Sequence, residues 1–163
     1  MALDAEISGE TSNSYAELEE ADEYFADRLN CSEWTSAPQG TREKALVTAT
    51  RRIDEEQFFG AKADSAQSLK WPRVGVVDED GNYFASDAIP ERVKQAVYLT
   101  ALELLRADFI AETYMGNFSY FSAGTVQIKQ FTQTSAGRLP AEATRLLRIV
   151  MSSGNGSGRL IRA

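Results

Sequence analysis

Histidine is absent from these 163 residues, and cysteine occurs once, at Cys31. The first absence removes histidine-based triads, Cys–His pairs and imidazole metal sites. The second removes an intrachain disulfide and a thiolate zinc cluster. Catalysis would have to rest on carboxylates, Lys, Tyr or a bound metal, so the expectation is a protein that is not an enzyme and holds no cofactor or metal. Long apolar runs are lacking too: none approaches the ~18 residues that read as a membrane span, and no membrane partner is expected. The opening MALDAEISGETSNS is acidic and has no apolar centre, unlike a secretory signal. A cytosolic setting is the expectation. Basic residues are outnumbered, 17 against 24 acids, for a net charge of −7. A sequence-independent nucleic-acid binder needs clustered Lys and Arg to displace counterions from phosphates. The total is against that role, although a local patch is compatible with it.

What is present describes one globular domain. Hydrophobic residues make up 43% and charged residues 25% of the chain, enough for a single core. Charge is unevenly placed: residues 1–30 hold nine acids and one base, Arg28, while residues 138–163 hold five arginines and one acid, Glu142. Oppositely charged ends either pair within one molecule or let one copy recognise the next.

Residues 1–13 are polar and unpatterned and read as a flexible arm. Ser14 and Glu17 have the spacing of a capping box, and Tyr15, Leu18, Ala21, Phe25 and Leu29 recur at helical spacing, predicting a helix over about 15–30. CSEWTSAPQG reads as a loop. Thr41 caps a second helix whose stripe is Leu46, Ala49 and Ile53, running to Phe58 or Phe59 and stopped by Gly60. VGVV, DEDGN and YF predict two short strands about an Asp-Gly turn. Pro90 begins the longest helix, over about 90–113, apolar on much of its surface and therefore central. Residues 116–124 read as irregular, TVQIKQFTQ as an edge strand, and Pro140 as the start of a last helix carrying Leu146, Leu147, Val150 and Met151. The fold class is mainly α: a small bundle of about four helices over 14–151, with a short β-hairpin or strand insertion and extended arms. Residues 152–163 form a Gly/Ser-rich tail tipped by Arg159, Leu160, Ile161 and Arg162.

Three apparent motifs carry no chemistry. DEDGN fails the calcium-loop spacing because Val76 stands where an oxygen ligand belongs. GNGSG lacks the Lys-Ser/Thr of a phosphate loop. Asp54, Glu55 and Glu56 end a helix and read as solvated surface. The stretch QSLKWPR, Gln67 to Arg73, is more informative. Lys70, Trp71 and Arg73 together suit stacking on single-stranded nucleic acid, as do Lys129 and Phe131 on the later strand. The competing reading is a structural clamp. Trp71 packs onto the helices, Pro72 holds the connector extended, and Arg73 ties it to a carboxylate or carbonyl, most simply an acid. The clamp is favoured.

The sequence EADEYFADRLN (Glu20–Asn30), Trp34, KALVTATRRID (Lys44–Asp54), FFG (Phe58–Gly60), QSLKWPR, Asp80-Gly81 and Ile89-Pro90 resembles a tailed-phage family. Its members often carry the label DnaT-like single-stranded DNA-binding protein, and in size and helix pattern they are similar to head-to-tail adaptor, or connector, proteins of the virion neck. The resemblance covers about residues 15–110. It implies a structural virion protein assembled in the host cytoplasm, a ring of about twelve identical subunits beneath the portal. Its partners would be the portal, tail or nozzle proteins and neighbouring copies, with DNA only passing through the channel. Arg159, Leu160, Ile161 and Arg162 would dock onto portal or neighbour. The alternative the label implies is a single-stranded DNA-binding replication-accessory protein, with Lys70, Trp71, Arg73 and Lys129 as its contacts.

Overall fold

The computed structural model describes residues 2–106, 118–123, 126–131 and 139–152. Helix α1 spans Leu18–Ala26 and buries Leu18, Ala21 and Phe25 on one face. Its start lies later than the Ser14–Glu17 spacing predicts: the Glu20 carboxylate accepts the Glu17 N–H at 3.1 Å. Tertiary contact explains the shift. The Tyr15 N–H donates to Thr50 Oγ1 at 3.1 Å, and the Ser14 hydroxyl donates to the Ala16 carbonyl at 2.6 Å, so neither joins a helical turn. The helix also ends early, and Leu29, expected on its apolar stripe, is 90% exposed.

The expected loop contains a helix, α2 (Ser32–Ser36). Five residues have almost no helical stability alone, and burial of Trp34 holds this turn in place. Its ring packs 4.8 Å from that of Phe25, and its Nε1–H donates to Asp22 at 2.8 Å. Arg42 pairs with the same carboxylate. Helix α3 (Gln39–Glu55) turns Ala45, Leu46, Ala49 and Ile53 inward. Helix α4 (Glu91–Arg106) follows Pro90, whose carbonyl accepts the Val93 N–H at 2.8 Å. The part expected beyond it, 107–113, lies outside the described residues. Pro140 likewise stands just ahead of the last helix, α5 (Ala141–Leu147).

Helices α3 and α4 form the main packed pair, and α4 also packs against α5. Val93, Ala96, Val97 and Ala101 of α4 share one core with Leu46, Ala49 and Ile53 of α3 and with Leu147 and Val150. This explains why α4 is apolar around so much of its circumference.

Among the described residues, two antiparallel pairs complete the fold. Strand β1 (Ala61–Lys62) pairs with β2 (Arg73–Val74), Ala61 opposite Val74 and Lys62 opposite Arg73. Gly60 permits the approach: its φ is +71°, and a Cβ there would lie 2.1 Å from the Val74 carbonyl oxygen. Residue 74 therefore pairs backwards, and the hairpin expected about Asp80-Gly81 is reduced to one bridge, Val77 to Tyr83. Its turn is closed by Asp78, which accepts the Asp80 and Asn82 N–H groups at 2.9 and 2.8 Å. These donors hold the Asp78 carboxyl below its ordinary pKa. Farther on, β3 (Phe118–Ala123) and β4 (Val126–Phe131) form an antiparallel ribbon. Strand β4 is the one expected; β3 falls in a stretch read as irregular. The protein is mainly helical with a small antiparallel hairpin.

Candidate nucleic-acid interface

Residues 57–59 run beside 150–152. The Phe59 N–H donates to the Val150 carbonyl at 3.0 Å and the Ser152 N–H to that of Gln57 at 2.8 Å. The QSLKWPR connector folds over this junction. Trp71 is 1% exposed and meets the rings of Phe58 and Phe84 edge-on, with centroids 5.7 and 6.5 Å away. Its Nε1–H finds no acceptor among the described residues. Arg73 is 8% exposed and donates to four carbonyls: Phe59 at 2.6 Å, Gly60 at 2.7 Å, Lys70 at 3.1 Å and Phe58 at 3.4 Å. Its partners among the described residues are thus carbonyls and no acid. Burial lowers the pKa of its guanidinium, an effect partly offset by Tyr15 and Asp54.

Gln67, which sequence reasoning passed over, organises the connector from inside. Its side-chain amide donates to the Leu69 and Pro72 carbonyls at 2.8 and 3.1 Å and accepts the Asp64 N–H at 2.9 Å. Asp54, read as solvated surface, is a second organiser. It accepts the Lys70 N–H at 2.7 Å and the Tyr15 hydroxyl. Burial, then the Asp54 charge, pushes the Tyr15 hydroxyl far above its ordinary pKa. That contribution is complete below pH ~10 and is lost as pH rises above it. Asp54→Ala strands a buried hydroxyl and an amide, so a loss of about 2 kcal/mol is expected in denaturant unfolding.

The structure separates the four nucleic-acid candidates. Trp71 and Arg73 lie inside the clamp and offer no face to a base or phosphate. Lys70 points its Nζ at the Glu56 carbonyl, 2.8 Å away. Lys129 stands elsewhere, on β4 opposite Tyr120. Arg159, Leu160, Ile161 and Arg162 lie outside the described residues.

Two other places suit a nucleic acid less well. Phe59, Val74, Val77 and Tyr83 are exposed near the clamp, Tyr83 by 77%. Asp78, Glu79 and Asp80 sit in the same turn, and three carboxylates there repel a phosphate backbone. A cleft of about 520 Å³ opens between the end of α1, α4 and the start of α5. Its cations are already paired, Arg28 with Glu142 at 3.3 Å and Arg106 with Glu103 at 2.6 Å and Glu33 at 3.5 Å.

Charge is segregated along the chain. Residues 118–163 hold six bases and one acid, Glu142, while residues 1–117 hold eleven bases and 23 acids. The β3–β4 ribbon lies in the basic third and has no carboxylate in either strand. A family model described as "Putative DnaT-like ssDNA binding protein" matches residues 1–163. The chain belongs to this family. No curated protein and no solved structure matches it.

Membership of the DnaT-like family over the whole length corrects the connector reading. The family is described by single-stranded DNA binding, and nothing in the match points to a head-to-tail adaptor, a virion neck or partners among portal, tail and nozzle proteins. A net charge of −7 weighs against nucleic acid only as a total, since it sums a strongly acidic part with a basic one.

Proposed function

We propose that this protein binds single-stranded DNA as a non-enzymatic accessory protein. Membership of the DnaT-like family along all 163 residues carries the proposal. The segregation of charge supports it: a net-acidic body discourages wrapping of DNA, and the basic third offers one restricted zone of attraction. A binding role fits the side chains available better than catalysis does. The chain has no histidine, and the Cys31 thiol is buried and donates to the Phe25 and Arg28 carbonyls at 3.3 and 3.1 Å.

The test is fluorescence anisotropy of a labelled oligo-dT titrated with the full chain across a salt series. Binding is expected at low salt. If the six bases of residues 118–163 are the most that engage phosphates, the slope of log K against log salt lies between about −1 and −4. A duplex of the same length should bind more weakly, because its bases are already stacked. Absence of binding at ~20 mM salt overturns the proposal, since electrostatic attraction is strongest there.

A further inference from the structure

We propose that the β3–β4 ribbon is the strand-binding face, with Phe118, Tyr120 and Phe131 as base-stacking positions and Lys129 as a phosphate contact; this rests on the single-stranded DNA reading above. The register carries the inference. Phe118 stands opposite Phe131, Tyr120 opposite Lys129, and Ser122 opposite Gln127. Successive residues of a strand alternate between faces, and directly opposed residues share one. Phe118, Tyr120, Phe131, Lys129, Ser122 and Gln127 therefore occupy a single face of the ribbon. The other face takes Ser119 opposite Gln130, Phe121 opposite Ile128 and Ala123 opposite Val126.

The first face thus carries the ribbon's one cation, Lys129, and three of its four aromatics, while the second carries no charge. Three aromatic positions lie within a patch roughly 7 Å along the strand and 5 Å across it. Stacking on aromatic rings tolerates any base, because every base has a π-face, and it needs bases that a duplex keeps covered. The occupant this chemistry fits is an extended single strand of DNA. The acidic turn at Asp78–Asp80 offers Tyr83 to solvent but repels phosphate; the ribbon combines aromatics with a cation and no carboxylate.

The experiment compares the wild-type chain with Tyr120→Ala, Tyr120→Phe and Lys129→Gln, using labelled oligo-dT, with circular dichroism and thermal melting recorded for each. Tyr120→Ala is expected to weaken binding roughly tenfold, and Tyr120→Phe, which keeps the ring, to stay within about twofold. Lys129→Gln should reduce the salt slope by ~0.7, the loss of one phosphate contact on a single strand. Photocrosslinking from 5-iodo-deoxyuridine should map to residues 118–131. If the wild type binds and all three variants match it in affinity and salt slope, or if crosslinks map to residues 58–84, the ribbon is not the site and the DNA-binding reading stands. If the wild type does not bind, that reading fails and the ribbon assignment fails with it. Should Tyr120→Ala not fold, Lys129→Gln and the crosslinks decide.

Discussion

Trp71→Ala is expected to destabilise the protein by about 3–5 kcal/mol, the range for deleting a large buried aromatic. Trp71 is fully buried at the point where the connector lies over the Phe58–Met151 bridge. Its loss removes edge contacts with both Phe58 and Phe84 and leaves a cavity that two rings from separate segments cannot close together. For a chain of this length the melting temperature should fall by about 10 °C. Trp71→Phe should cost much less, since the indole N–H donates to nothing among the described residues and no hydrogen bond is forfeited. Calorimetry on the two variants checks this. An Ala variant that melts with the wild type but no longer binds oligo-dT would place Trp71 on DNA and refute the packing role.

Arg73→Ala is expected to cost about 3–5 kcal/mol, because truncating a buried hydrogen-bonded cation leaves its acceptors stranded. Four carbonyls, of Phe58, Phe59, Gly60 and Lys70, converge on one guanidinium. They come from two stretches of chain, residues 58–60 and Lys70, which this one side chain ties together. Arg73→Lys keeps the charge but loses the planar fork and two donors. It should still lose about 2 kcal/mol, as one ammonium cannot satisfy carbonyls spread around a fork. The separating measurement is oligo-dT affinity of Arg73→Lys at a temperature where it is fully folded. It should equal the wild type within about twofold. A tenfold loss there, with stability unchanged, would make Arg73 a DNA contact and sink the clamp.

Several elements were legible in residue spacing. The stripes of α3 and α4 predict both helices, and the apolar breadth of α4 predicts its central place, packed against both α3 and α5. Alternation in TVQIKQFTQ predicts β4. Other features have no local signature. Helix α2 is too short to show a period and exists because Trp34 reaches Phe25 and Asp22. The start of α1 depends on Thr50, 35 residues away, taking the Tyr15 N–H. Asp54 looked like one of three solvated acids, yet Tyr15 and Lys70 arrive from distant positions to use it. Strand β3 was hidden because Phe118, Tyr120 and Phe121 sit among serines and near glycines, a composition that suits an irregular segment as well as a strand.

By itself, the sequence determined which side-chain chemistries this protein has to work with, where its bases and acids are segregated, and which stretches repeat at a helical period. Those properties are additive along the chain and need no neighbours. Only the tertiary structure decided that Trp71 is spent on the core. Trp71 beside Lys70 and Arg73, and Tyr120 opposite Lys129, are alike in composition. One is sealed between Phe58 and Phe84 over carbonyl-bound Arg73, and the other stands on a ribbon free of carboxylates. The burial of Trp71 is set by Phe58 and Phe84, which local composition does not reveal, and the register that sets Tyr120 opposite Lys129 is a pairing between two strands.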